Sequence, residues 1–309
     1  MEKIHFKKMP GTVLAPLLEI PEPPVALYIE GELPAPDKIL LTVVGSRRLS
    51  SYGREVCAEL IKGLAGQPIV IVSGLALGID TVAHQSALAT GLMTLAFPGS
   101  GLDRSVLYPA SNRQLAEKII HSGGALISEY EPDFRATPYS FPRRNRLMAG
   151  LAKATLIIEA SKKSGTLITA RLALDYNRDV LAVPGSIHWP NSVGPNWLIK
   201  EGATPITNSE DLLHALGLDN KQAGETPSLF SELELTPAET KILTLLKNGL
   251  TNRDELIERS GYSSAEAGTA LMLLTLKDLI KDVAGEITPS SVWPHLKMLP
   301  RINLGTIKF

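Results

Sequence analysis

Three stretches of this 309-residue chain combine residue types that hold phosphate or stack on bases. In the first, Gly45, Ser46, Arg47 and Arg48 follow an apolar run and precede Ser50, Ser51, Tyr52, Gly53 and a helical pattern. A glycine at a strand end, small hydroxyl side chains and an arginine ahead of a helix N-terminus present N–H groups and a cation to an anion. The same residues also make an ordinary tight turn with an exposed arginine. The pattern is not G-x-G-x-x-G and has no lysine in the P-loop position, so a dinucleotide or triphosphate site is unsupported. The second stretch, Phe141, Pro142, Arg143, Arg144, Asn145 and Arg146 with Tyr139 just ahead, sets rings beside cations. That is the chemistry of sequence-tolerant single-strand binding; the alternative is a core Phe141 with arginines in surface ion pairs. In the third, Lys162 and Lys163 flank Gly165 and Thr166 where another helical pattern opens, a second N-terminus able to face an anion.

The charge distribution supports a polyanion-facing surface without requiring one. Net charge is −1, yet residues 135–178 carry nine Lys or Arg against Glu159 and Asp175. Such a block either faces phosphates, whose neutralisation releases counterions, or is a solvated helix face. Other candidate side chains read as structural. Asp80 follows the glycine-bearing turn 73–78 and could cap the helix or bind a ligand, capping being the commoner role. His84 has no second ligand at metal spacing, and Cys57 lies inside a helical pattern as a small buried residue.

The elements that must position these loops are legible as alternation. Apolar runs of strand length at 40–44, 69–72, 93–97, 126–128, 155–158, 180–183 and 204–206 alternate with amphipathic segments of helix length. Runs apolar throughout imply burial on both faces, hence an α/β fold with a mainly parallel sheet and helices on both faces. The strand-end loops then converge on the crevice outside the carboxyl ends of the sheet. Residues 1–37, with seven prolines, read as an extended lead-in with a short strand near 26–29. The α/β pattern fills 38–217, and residues 218–232, mixing Gly, Pro, Ser and charge, form a linker. Residues 233–289 give three helices, at 237–247, 252–260 and 264–282, and a hairpin about Gly285: a small winged-helix domain, followed by a tail over 290–309.

Composition narrows the class. With 44% hydrophobic residues, 22 prolines and 25 glycines, neither disorder nor collagen fits. No apolar run approaches the roughly 20 residues that span a bilayer, and MEKIHFKKMP has no signal core, so a cytoplasmic protein without membrane association is expected. One cysteine allows neither an internal disulfide nor a multi-cysteine zinc site. No metal and no cofactor are expected.

The series VGSRRLSSYG, SGLALGIDTVAH, PGSGLDRSVLYPASN, ISEY, FPRRNRLMAGLAK, IIEASKKSGTLITA, VLAVPGS and SVGPNWLIKEGA resembles, in that order over about residues 12–217, the DNA-processing protein A family, DprA or Smf. The pattern at 233–289 is similar to the winged-helix domain that many members carry. The resemblance implies an extended Rossmann-like domain that binds single-stranded DNA, forms a homodimer and loads RecA recombinase on incoming DNA during natural transformation, without enzymatic activity. By position it assigns DNA contact to Arg47, to the basic residues of FPRRNR and to Phe141. With the neighbouring turn residues the candidate set is Ser46, Arg47, Arg48, Phe141, Arg143, Arg144, Asn145, Arg146, Lys162, Lys163, Gly165 and Thr166. The chain departs from the family pattern at Leu77, where arginine is usual, at Asn177, where glycine is usual, and in having about forty proline-rich residues where many members carry a helical domain.

Two other functions compete. A nucleotide-processing enzyme similar to the lysine-decarboxylase-like phosphoribohydrolases would use Glu159 as acid or base, but the PGGxGTxxE pattern of those enzymes is missing, and Glu159 also suits capping of backbone N–H groups. A scaffold would act through its winged helix. Residues 233–289 hold nine acidic and six basic side chains, which favours protein contact over groove binding there.

Overall fold

A computed structural model describes residues 1–218, 235–277, 279–283 and 285–289. The chain divides into two compact units, Met1–Lys221 and Gln222–Phe309. The expected linker beyond residue 218 and the tail 290–309 lie outside the described residues.

The first unit is built on a nine-stranded sheet. Its strands are β1 (Glu2–His5), β2 (Ala26–Gly31), β3 (Ile39–Val44), β4 (Ile69–Ser73), β5 (Thr94–Ala96), β6 (Ala125–Ser128), β7 (Ala154–Ile157), β8 (Asp179–Ala182) and β9 (Thr204–Pro205). Their spatial order is β1-β2-β6-β5-β4-β3-β7-β8-β9. From β6 to β9 all pairings are parallel; β2 joins β6, and β1 joins β2, antiparallel. Strand order runs outward from β3 in both directions, so the gap between β3 and β7 is the topological switch point, where α/β sheets open a ligand crevice.

The apolar runs alternate faces as the two-residue strand period dictates. Leu40, Val44, Val70 and Val72 pack on one side with α4 (Ser140–Leu151) and α5 (Thr166–Asp175). Leu41, Val43, Ile69 and Ile71 pack on the other with α1 (Ser51–Lys62), α2 (Ile79–Ala89) and α7 (Ser209–Ala215). The α3 helix (Arg113–His121) closes the β6 side, and α6 (Val193–Lys200) follows β8. Asn177, before β8, takes φ 56, a left-handed conformation that asparagine tolerates better than most residues.

Residues 1–37 are not a lead-in. Met9, Leu14, Leu17 and Ile20 lie in the core, Ala15–Leu18 makes a 3₁₀ turn with Pro16 at its start, and β1 and β2 extend the sheet. The prolines punctuate this segment without preventing burial of the apolar residues between them, so no structural boundary falls at residue 37.

In the second unit, α8 (Pro237–Lys247), α9 (Arg253–Ser260) and α10 (Ser264–Leu276) pack around Ile242, Leu246, Leu256, Leu271 and Leu274, beside the hairpin β10 (Ile280–Val283) and β11 (Glu286–Pro289). Capping boxes start α8 at Thr236 with Glu239 and α10 at Ser263 with Glu266. The third helix ends at Leu276, six residues short of the expected 282. Continuing the buried stripe 267, 271, 274 would turn Asp278 and Lys281 inward and Ile280 outward; as a strand, Ile280 joins Leu279 and Ile287 in the core. This is a winged helix.

Candidate nucleic-acid interface

The loops after β3, β4 and β7 meet at the switch point and enclose an open cleft with α4 along one wall. Gly78 makes the junction of the first two loops possible. Its φ is +82, and a Cβ there would stand 2.2 Å from the Ser46 carbonyl oxygen. Arg47 is exposed at the rim, with its guanidinium 5.0 Å from the centre of the Phe141 ring. Phe141 in turn leans on Tyr108, ring centres 5.7 Å apart. Among the described residues neither Arg47 nor Arg48 makes an ion pair, so both cations face solvent and any anion in it.

Helical geometry divides the FPRRNR segment. At 100° per residue, Phe141, Arg144, Asn145 and Met148 share the cleft face of α4, while Arg143 and Arg146 turn to the opposite side. There Arg143 lies 3.3 Å from Glu129, and Arg146, only 6% exposed, donates to Glu129 and, over 2.6 Å, to the Glu22 carbonyl. Burial pushes the Glu129 carboxyl above its ordinary pKa, and Arg146 and then Arg143 act against that shift. These two arginines were expected on the binding surface; the structure gives them a carboxylate instead, because Glu129 at the end of β6 sits beneath their side of the helix.

Arg144 belongs to the cleft but is only 4% exposed. Its guanidinium donates to the Gly74 carbonyl over 2.5 Å and to the Phe97 carbonyl. Across Gly74 stands Asp80, whose carboxylate accepts from the Gly74 and Ala76 N–H groups at 3.1 and 3.4 Å. Burial raises the Asp80 pKa, against Arg144 and the two N–H donors; burial also works against the charge on Arg144, which Asp80 supports. A Cβ on Gly74 would lie 2.4 Å from Arg144 Nη1 and 2.6 Å from Asp80 Oδ2, so glycine is what lets the pair close over the strand end. Arg144 thus forms the floor of the cleft, tying β4, β5 and α4 together.

On the far wall, Ser164 Oγ accepts from the Thr166 N–H at 3.2 Å and organises the first turn of α5, whose N-terminus faces the cleft with Gly165 and Thr166. Lys162 and Lys163 are exposed on the loop outside this lining. Glu159 is buried and its oxygens are occupied: it accepts from Ser50 N–H at 3.0 Å, from the Ser50 hydroxyl and from Asn191 Nδ2 at 3.3 Å. A carboxylate used in this way fixes the start of α1 and is not presented to a ligand. Leu77 stands exposed beside Arg47, Tyr108 and Phe141, an apolar continuation of the cleft.

Cys57 is buried and its thiol is pushed up to about 12 by burial, with Asp80 adding to the shift, so it is no nucleophile. His84 is buried beside Thr94. His84 Nδ1 lies 2.7 Å from the Thr94 hydroxyl, which donates to the Ile71 carbonyl. Burial first, and Arg144 second, push the His84 pKa down to about 3. The unfolded chain therefore gains a proton near His84's ordinary value, and folding stability falls by about 1.4 kcal/mol per pH unit between about 6.5 and the folded value. Urea unfolding of the parent chain and H84Q at about pH 7 and about pH 5 is expected to show the gap between them shrinking on acidification; a constant gap would mean that His84 is as easily charged in the fold as out of it.

A doubly wound Rossmann-like sheet with a cationic cleft at its switch point, joined in one chain to a winged helix, defines a narrow architectural class. The chain belongs to the family of DNA recombination-mediator protein A: that family model matches residues 7–217, and the DprA winged helix domain matches residues 226–286. Protein Smf of Escherichia coli is 39% identical over 273 residues, covering 87% of this chain and 72% of that protein. The DNA processing protein DprA of Streptococcus pneumoniae is 43% identical over 197 residues, covering 64% of this chain and 68% of that protein. Its X-ray structure superposes with a TM-score of 0.64 at 38% identity, over 69% of this chain and 73% of that one. A structure of DNA processing protein A from Helicobacter pylori, described for its single-stranded DNA binding mode, superposes with a TM-score of 0.59 at 31% identity, over 66% of this chain and 92% of that one. Among the described residues no helix is long and apolar enough to cross a membrane.

Proposed function

We propose that the cleft binds single-stranded DNA without base preference and that the protein is a cytoplasmic, non-enzymatic recombination mediator, a homodimer that protects incoming strands and hands them to RecA recombinase during natural transformation. The observation that carries this reading is the Arg47 guanidinium held over the Phe141 ring at the switch point, a cation for phosphate and a π-face for a base in one contact. Ser46, Arg48, Asn145, Gly165 and Thr166 contribute the remaining polar contacts, and Lys162 and Lys163 add to the attracting field. Arg144 supports the floor, and Arg143 and Arg146 hold α4 in place. Family membership and the relative from Helicobacter pylori support the ligand class. The commitment of Glu159 to Ser50 and Asn191 speaks against a nucleotide hydrolase.

The test is fluorescence anisotropy of a labelled oligothymidine against a duplex of equal length at several salt concentrations. The single strand is expected to bind more tightly, with log K falling by about 0.7 per neutralised phosphate for each unit of log salt. No binding, or preference for the duplex, would overturn the reading. Strand exchange on DNA coated with single-strand-binding protein, with and without this protein, tests the hand-over to RecA, and sedimentation tests the dimer.

A further inference from the structure

Beyond the cleft, past Arg48, lies a second pair of rings that the binding reading does not use. Trp189 is 47% exposed and packs against Tyr52, ring centres 5.4 Å apart and planes tilted by 59°. Ile187, two residues earlier, is 81% exposed. Large apolar side chains left in water on a mobile loop would mean little, but this loop is tied down. Asn191 donates to the Arg48 carbonyl over 2.9 Å and to Glu159, the Ala160 N–H donates to the Asn191 carbonyl over 2.8 Å, and the Trp189 N–H donates to the Ser186 carbonyl over 3.0 Å. Tyr52 is held by its hydroxyl, which donates to the Pro184 carbonyl over 2.7 Å. Asn191 also lines the cleft, so the rings begin where the cationic rim ends.

We infer that the Tyr52–Trp189 pair is a stacking shelf for an unpaired base on the strand as it leaves the cleft past Arg48. This rests on the single-strand reading of the cleft and extends its footprint: Tyr108 and Phe141 stand at one end, Arg47 and Arg48 on the rim, and Tyr52 and Trp189 at the other end. The chemistry fits this ligand. A rigid, half-exposed indole offers a π-face to any base without selecting its edge, at little cost in conformational entropy, and the adjacent arginine takes the phosphate that precedes or follows. Arg48, exposed on the rim, is joined to this loop through its carbonyl, which accepts from Asn191, and the carboxylate that acts on Tyr52, Glu159, is buried and already bound to Ser50 and Asn191.

The experiment compares the intact chain with W189A, W189F and R47A, using oligothymidines of roughly four and roughly sixteen nucleotides, the range spanned by known single-strand sites. W189A is expected to weaken the long oligomer roughly tenfold more than the short one, W189F to restore most of the loss, and R47A to weaken both. With Trp197 and Trp293 replaced by phenylalanine, Trp189 fluorescence is expected to be quenched by the long oligomer. Equal affinities of W189A and the intact chain for the long oligomer, with R47A still weakened, would overturn the shelf and leave the cleft reading standing. Loss of self-association in W189A, with DNA affinity per subunit unchanged, would overturn the shelf in favour of a protein contact. Failure of the intact chain to bind either oligomer would overturn both readings.

Discussion

Replacing Arg144 by methionine is expected to destabilise the first unit by about 3–5 kcal/mol, the usual cost of removing one partner from a buried charged arrangement. Methionine fills much of the same volume, so the loss is not a cavity effect. It comes from the Gly74 and Phe97 carbonyls, which lose their donor, and from Asp80, which loses the positive neighbour across Gly74. Urea unfolding followed by the fluorescence of Trp189 and Trp197 measures it. R144K keeps the charge but cannot reach both carbonyls with a planar fork, so its stability is expected to fall between the two. Intact stability in R144M with lost oligonucleotide affinity would show the opposite: an arginine spent on phosphate rather than on the cleft floor.

Arg47 is the contrasting case. R47A is expected to leave stability within about 0.5 kcal/mol, as exposed substitutions do, while oligothymidine affinity falls roughly 10- to 100-fold, the value of one charged contact. Because a phosphate partner is removed, the salt slope is expected to flatten by about 0.7. R47K restores the slope but not the full affinity, since an ammonium does not stack on Phe141 as a guanidinium plane does. Equal salt slopes in R47A and the parent chain would remove Arg47 from the phosphate contacts. Arg47 and Arg144 are both arginines from loops and helices of one cleft, and burial alone sends their expected phenotypes in opposite directions.

That divergence marks how far the sequence could be read. Strands β3, β4, β7 and β8 were legible because runs such as ILLTVV and IVIVS are apolar on both faces, which only a covered parallel sheet requires. The turn from Gly45 to Arg48 was legible because its residue types suit a strand end. Charge counting over residues 135–178 could not separate Arg144 from Arg143 and Arg146, since it carries no direction. The signal lay in the helical phase of FPRRNRLM, which puts 143 and 146 on one side, together with the glutamate of ISEY. Prolines concealed β1 and the burial of Met9, Leu14, Leu17 and Ile20, whose spacing shows no period, while β2 was legible over 26–29 and runs two residues further. Nothing in the sequence joins Tyr52 to Trp189, 137 positions apart; only the return of the loop after β8 to the start of α1 brings them together.

The antiparallel addition of β2 to β6 bears on how this chain acquires its fold. Tyr28 pairs with Ser128 and Ile29 with Ile127, so the partner of a strand made early is synthesised about a hundred residues later. Until then Met9, Leu14, Leu17 and Ile20 have no core to enter, since the residues they pack against lie mostly downstream. Local βα units from β3 onward need no such wait. Loop closure over that separation must precede any contact that rewards it. The segment that leaves the ribosome ahead of the sheet is therefore among the last to be placed, and a nascent chain halted before β6 carries an apolar stretch that only a chaperone or its own later residues can cover.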